Sequence, residues 1–320
     1  MSAEEAEQPA ECDEEAARQA QAGLLASARD VIDEGDAVLV YVSFGHMYPI
    51  VVRRGMTLTM RYGALRHEFI IGRPYGSRVQ ATAGYVRVLR ATADLCTRSM
   101  PHRTQIVYTP DAAYVLAALE LTVGSVVLES GTGSGSVTLA LAAAVAPSGH
   151  VHTFDVHAQR AHAVATQLQQ HAMAQFVTTH VGDVCASGFA GVRSDSVDAV
   201  FLDVPRPWEA LPWALSVLRR DRATRVCTFS PCIEQVSRST MAMRQLGFVQ
   251  LSTVEIVPRH YKVSRQATQH WWPTDDRKRQ QNCAGAAEDD GNEQLVCFPW
   301  PVQQPTHTGY LSAATLLPRH

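Results

Sequence analysis

The chain has 320 residues, enough to bury a sizeable core as one large domain or two modest ones. Apolar residues make up 46% and charged residues 18%, the balance of a soluble globular enzyme, and no apolar run reaches the roughly 20 residues of a membrane span. The formal net charge of −3 argues against a polyanionic partner only until its distribution is considered.

Residues 1–36 carry eleven acids against two arginines, so the remainder carries 26 basic against 20 acidic side chains. An acidic start is the wrong charge for a signal or transit peptide, and the expectation is an intracellular protein with no membrane anchor. Residues 1–34 read as an acidic extension that cannot build a core, with 1–28 dispensable for the fold. The seven cysteines (Cys12, Cys96, Cys185, Cys227, Cys232, Cys283 and Cys297) show no CxxC spacing, which suits reduced thiols better than a zinc site. His152, His157, His162 and His171 have no companion cluster of Cys or carboxylates and read as solvated or core-edge side chains; no metal is expected.

Residues 35–98 read as a small antiparallel β domain. Short β-rich runs at 37–42, 47–52, 57–62, 69–71 and 85–89 are punctuated by Gly55, Gly63, Gly72, Gly76 and Gly84 at hairpin-like intervals. Residues 37–104 hold ten arginines against Glu68 and Asp94, with no lysine. Guanidinium forks bind phosphate and stack on bases, so this segment suits RNA; the plainer alternative is a solvated surface that happens to favour arginine.

A connector over 97–108 leads to a helix at 111–121. Strands at 125–129, 150–156, 176–181, 197–203, 225–230 and 248–257 then alternate with helices at 137–146, 159–171, 208–218 and 232–246, and a last strand is expected within 307–317. That rhythm predicts an α/β fold, a doubly wound parallel sheet over 99–264 plus 307–317. Residues 265–306, with Arg277-Lys278-Arg279 and Glu288-Asp289-Asp290, read as an extended, disordered insertion.

The first of these strands ends in Glu129-Ser-Gly131-Thr-Gly133-Ser-Gly135-Ser. A dinucleotide fingerprint would need glycine at 136, where Ser136 stands. E-x-G-x-G-x-G is the pattern of a class I methyltransferase loop, in which a compact amino-acid moiety lies against bare backbone. Glu129 is placed to accept from the ligand's amino group, directly or through water. The next strand reaches Asp155, placed to bind both ribose hydroxyls. Gly182-Asp183-Val184 follows the third strand, where an acid can accept from the adenine amine. Together these imply S-adenosylmethionine as the cofactor. The fourth strand ends in Leu202-Asp203-Val204-Pro205-Arg206-Pro207-Trp208. Methylation of an aromatic nitrogen such as adenine N1 leaves a cationic base, and a carboxylate at Asp203 would accept from N6 and stabilise that charge. Trp208 either walls the pocket or packs beneath it.

With Gly72-Arg-Pro-Tyr-Gly-Ser, Pro101-His-Arg-Thr-Gln-Ile-Val-Tyr, Asp183-Val-Cys, Phe229-Ser-Pro-Cys-Ile-Glu-Gln and His307-Thr-Gly-Tyr-Leu, these motifs make the chain resemble the catalytic subunits of eukaryotic tRNA (adenine-58-N1) methyltransferases over 30–262 and 307–316. The resemblance implies a class I S-adenosylmethionine-dependent fold and tRNA as substrate. It also implies a two-plus-two heterotetramer with a related non-catalytic subunit, and a nuclear location. By that resemblance the cofactor contacts fall at Gln105, Val107, Ser134, Gly135, Ser136, Asp155, Arg160, Asp183 and Val184, with Asp203 touching both cofactor and target base. Three features depart from the family pattern. Asp155 stands in place of a longer Glu, Arg206 replaces a small residue and is placed to reach substrate phosphate, and the 265–306 insertion is long. Two readings compete: a non-catalytic RNA-binding subunit that keeps the fold, and a methyltransferase for protein or small molecules.

Overall fold

The computed structural model describes residues 29–43, 45–100, 104–171, 173–259, 261–267, 293–299 and 308–319. The extension through residue 28, residues 101–103, the charge clusters at 277–279 and 288–290, and His307 lie outside the described residues.

Six short strands open the fold: β1 (Ala37–Ser43), β2 (His46–Val51), β3 (Thr57–Met60), β4 (Gly63–Arg66), β5 (Arg78–Ala81) and β6 (Gly84–Arg90). Four of them form an antiparallel sheet in the order β2-β1-β6-β5, and β3 pairs with β4. Alternation puts Val38 and Val40, Val79 and Ala81, and Val86 and Val88 into one small core with Ile32, Val52, Leu65 and Ile70. Residues 69–71 do not form the strand their β-branched character suggested. His67–Phe69 is a turn of 3-10 helix, and the N–H groups of Ile70 and Ile71 both bond back to the His67 carbonyl at 3.0 and 3.3 Å. Only Ile70 of this run is fully buried, while Phe69 stays exposed, so tertiary burial of one side chain overrides local propensity. β4 and β5 escaped the reading because each is four residues long with little apolar content.

Helix α1 (Ala93–Ser99) occupies the start of the expected connector; Thr92 caps it by accepting the Leu95 N–H at 3.3 Å. The remainder alternates as expected: α2 (Thr109–Ala118), β7 (Val126–Ser130), α3 (Ser136–Val145), β8 (His150–Asp155), α4 (Ala158–Gln170), β9 (Val177–Val181), α5 (Val184–Ser187), β10 (Ala199–Leu202), α6 (Pro207–Val217), β11 (Thr224–Ser230), α7 (Ile233–Gln245) and β12 (Val249–Glu255). Next come β13 (Tyr261–Ala267) and β14 (Glu293–Pro299), then β15 (Tyr310–Leu316).

The main sheet has the order β12-β15-β11-β10-β7-β8-β9. Its central strands are parallel, and β10 is buried along its whole length, as a strand covered on both faces must be. One face packs Val115, Leu139, Leu141, Val145, Val164 and Leu168 from α2, α3 and α4. The other packs Leu211, Ala214, Met243 and Phe248 from the α6 and α7 side. β15 departs from the all-parallel expectation: it runs antiparallel to both β11 and β12, between them. A parallel neighbour needs a crossover of a dozen or more residues, usually a helix, and no helix lies between β12 and β15 among the described residues.

Two compact units result. The first runs through Ile256 and resumes at Thr308, and it holds both the N-terminal sheet, which keeps its own small core, and the main sheet. The second, Val257–His307, begins before the expected boundary at 265. Its described part is an antiparallel hairpin, β13 against β14, with Tyr261 opposite Pro299 and Ala267 opposite Glu293. The ends of the expected disordered insertion therefore pair as strands.

Candidate functional site

The glycine loop turns at the C-terminal edge of the sheet. β7 delivers Glu129 and Ser130, and Gly131 follows at φ +97°. A Cβ on Gly131 would sit 2.1 Å from the Asp203 carbonyl oxygen, so only glycine lets the loop pass the end of β10. Backbone bonds lock this crossing: the Gly131 and Thr132 N–H groups donate to the Phe154 carbonyl at 2.9 and 3.2 Å, and the Asp203 N–H donates to Ser130 at 2.8 Å. Gly135 meets a packing constraint as well. At φ +86° it precedes α3, and a Cβ there would come within 3.1 Å of Val164, so it serves the packing of α3 on α4. Segment 104–107 is tied to the same loop. The Thr104 N–H donates to the Ser134 hydroxyl at 3.2 Å, and the Ser136 hydroxyl donates to the Val107 carbonyl at 2.8 Å.

Four acids meet here in different states. Glu129 is fully buried; its Oε2 accepts from the Thr138 hydroxyl at 2.6 Å, while Oε1 has no hydrogen-bond partner among the described residues. Burial pushes its carboxyl up to about 7, against the neighbouring Thr138 and Thr153 hydroxyls and with the charges of Asp203 and Asp155. Asp155, 5% exposed, accepts from the Gly133 N–H at 3.1 Å and the His157 N–H at 2.8 Å, with the Arg160 guanidinium 3.8 Å away. Asp183 is exposed and caps α5, its Oδ1 accepting the Cys185 N–H at 2.9 Å. Asp203 makes no side-chain hydrogen bond among the described residues, and burial pushes its carboxyl up to about 6.

Two adjoining hollows of about 140 and 290 Å³ share Gly131, Asp155, Arg160 and Asp203. The smaller adds Gln105, Val107, Glu129, Gly133, Ser134 and Ser136; the larger adds Asp183 and Val184. Every residue expected at the cofactor site lines this cleft except Gly135. The chain's own groups fit a compact adenosyl–amino acid ligand: a buried Glu129 oxygen with no partner among the described residues, and an Asp155 carboxylate held rigid by two N–H groups. Thr104, Thr132, His157 and Val204 also line the cleft and were not among the expected site residues. Thr104 sits in a motif yet has no chemistry of its own to mark it. Arg206 lines the larger hollow and pairs with Glu209 at 3.0 Å. Trp208 lines neither; Arg238 lies over its ring at 5.2 Å, which fits the packing role. A separate hollow of about 380 Å³ beside β1 and β2, lined by Arg53 and His67, has neither a glycine loop nor a carboxylate.

The raised Asp203 carboxyl has consequences in two directions. Its charged form is the one that can accept a hydrogen bond from a ligand's donor, so any activity that uses the carboxylate is expected to fall as pH drops through about 6. For folding, a carboxyl raised above its unfolded value of about 4 adds stability below that pH, and the gain is lost as pH rises through about 6. Asp203→Asn in the ligand-free chain should therefore raise Tm by roughly 2–4 °C at pH 8 and leave it unchanged at pH 4. Equal melting points at pH 8 would mean that the charge is not held out of water.

The family model described as the tRNA methyltransferase complex GCD14 subunit matches residues 84–316. The tRNA (adenine(58)-N(1))-methyltransferase catalytic subunit TRM61 of Cryptococcus neoformans var. neoformans is 42% identical over 235 residues, covering 72% of this chain and 54% of that protein. The chain thus spans about half the length of that relative. The Candida albicans protein of the same name is 39% identical over 242 residues, covering 74% of this chain and 72% of its own. Among solved structures, a SAM-dependent O-methyltransferase from Thermotoga maritima superposes with a TM-score of 0.67 at 24% identity, over 91% of this chain and 96% of that one. The tRNA (m1A58) methyltransferase TrmI from Aquifex aeolicus does so with 0.63 at 23%, over 90% and 100%. These structural likenesses establish the fold. The sequence matches go further, and the chain belongs to the family of GCD14 subunits of the tRNA methyltransferase complex.

Proposed function

We propose that the chain transfers a methyl group from S-adenosylmethionine to N1 of adenosine 58 in the T-loop of tRNA. In this reading it is the catalytic subunit of a nuclear two-plus-two assembly with a related non-catalytic subunit. Relatives at 39–42% identity carry the corresponding name, and the family description speaks of a complex; the nuclear location rests on resemblance alone. One observation supports the reading: at the end of β10 the Asp203 carboxyl, without a hydrogen-bond partner among the described residues, lines the same cleft as Gly131, Glu129 and Asp155.

Glu129 Oε1 and the loop backbone would hold the cofactor's amino-acid end, Asp155 its ribose hydroxyls, and Asp183 its adenine. When bound, S-adenosylmethionine supplies an electrophilic sulfonium methyl. Asp203 accepts from N6 of the target adenine, which raises electron density at N1 and balances the positive charge that methylation creates there. N1 lies on the Watson–Crick edge, so the target base must leave its stack, and the surrounding RNA needs a second grip. The arginine-rich N-terminal sheet provides one.

The direct test is co-expression with the related subunit, followed by mapping of methylated positions in bulk tRNA. Absence of N1-methyladenosine at position 58 would overturn the proposal. Binding of tRNA should also weaken steeply with salt, by about 10³-fold between 50 and 200 mM if some six phosphates are neutralised. Salt-independent substrate binding would favour a protein or small-molecule acceptor instead.

A further inference from the structure

The N-terminal sheet carries a second feature, at the edge where β6 extends beyond its pairing with β1. β1 and β6 stay paired as far as Tyr41 opposite Arg87. Beyond that pair β1 runs on to Ser43 and β6 starts at Gly84, and a groove of about 390 Å³ opens, lined by Tyr41, Tyr62, Arg78, Tyr85 and Arg87 and by no acidic residue. Arg87 is also directly opposite Arg78 on β5, so Tyr41, Arg87 and Arg78 form one row across three strands. The Arg78 guanidinium lies over the Tyr85 ring, 4.0 Å from its centroid, and Tyr85 is 52% exposed.

Like charges placed directly opposite in a sheet repel and destabilise it; the Arg87 guanidinium donates to the Gly76 carbonyl at 3.2 Å, and no carboxylate in the groove offsets the pair. An anion between the two guanidinium groups would. Beside that anion site stands a flat, exposed stack of guanidinium on phenol. A nucleic-acid base stacks on either kind of surface, and a base followed by its phosphate matches the order of groups along the groove. A duplex would offer the phosphates but keep its bases inside. We propose that this groove takes one unpaired nucleotide of the RNA substrate, its base on the Arg78–Tyr85 stack and its phosphate between Arg78 and Arg87. The proposal rests on the reading of the substrate as RNA.

The test uses the full chain assembled with its related subunit, and three probes: tRNA, a single-stranded uridine octamer, and a duplex RNA of equal length. Tyr85→Ala is expected to weaken octamer binding about tenfold, the size of one lost base stack, and to leave duplex binding little changed. Arg87→Ala should weaken octamer binding by the loss of one phosphate contact, with a shallower salt dependence. With tRNA the loss should appear in KM for tRNA and not in KM for S-adenosylmethionine. Tyr85→Phe, which keeps the ring, should bind the octamer like the parent. Unchanged octamer affinity in both alanine variants would overturn the proposal. So would loss of subunit assembly without loss of RNA affinity, which would make the groove a protein interface. If the parent complex fails to methylate tRNA while octamer binding still depends on Tyr85, the groove stands and the enzymatic reading fails.

Discussion

Asp203→Ala is expected to lower the rate of methyl transfer by about 10²–10³-fold, the usual cost of removing one electrostatic stabiliser of a transition state, with tRNA affinity close to that of the parent. The residue's surroundings separate chemistry from folding. Its backbone is held by the bond to Ser130 at 2.8 Å and by contact with Gly131, neither of which needs the side chain. The carboxyl has no hydrogen-bond partner among the described residues, so its removal strands no buried donor. It is also raised to about 6 by burial, so losing it relieves a desolvated charge. A stable, RNA-binding and inactive variant is the expected phenotype. Single-turnover assays with labelled S-adenosylmethionine and excess enzyme complex would measure it, and an unchanged rate would remove Asp203 from the mechanism.

Gly131→Ala should cost about 3–5 kcal/mol of stability, in the range reserved for severe backbone and packing defects, and should abolish cofactor binding. Two effects add. A non-glycine residue at φ +97° is strained by about 1–2 kcal/mol. The new methyl must also displace the Asp203 carbonyl from 2.1 Å, and that oxygen belongs to backbone at the end of a fully buried strand. Gly72→Ala supplies the comparison. Its φ is +78°, but nothing lies within 4 Å of the added Cβ, so only the strain should appear, about 1–2 kcal/mol. Urea denaturation of the two variants would separate the contributions. Equal losses would show that the loop yields to the methyl and that the crossing of β7 and β10 is not tight.

Much of the main fold was legible from local patterning. The alternation of apolar strands and amphipathic helices placed β7 to β12 within a few residues, because a strand buried on both faces must be apolar throughout and a helix must present a periodic stripe. The convergence of the four acids was legible for a similar reason. Glu129, Asp155, Asp183 and Asp203 each follow an apolar run, and the ends of parallel strands fall on one edge of the sheet. The exposed cap of α5 on Asp183 and the burial of Glu129 look alike in sequence; only the packing of Thr138 and the sheet tells them apart.

What composition and periodicity determined, then, was which segments are strands and helices, and that their carboxylates converge. Tertiary contacts between residues far apart in the chain decided the rest. They set β15 antiparallel between β11 and β12, packed Gly135 against Val164, and drew Thr104 and Val107 onto Ser134 and Ser136. They turned residues 67–71 away from a strand, paired the ends of a segment that reads as structureless, and laid Arg78 over Tyr85. Propensity acts over a few neighbouring residues, whereas each of these outcomes depends on sterics or hydrogen bonding with a partner that no local window contains.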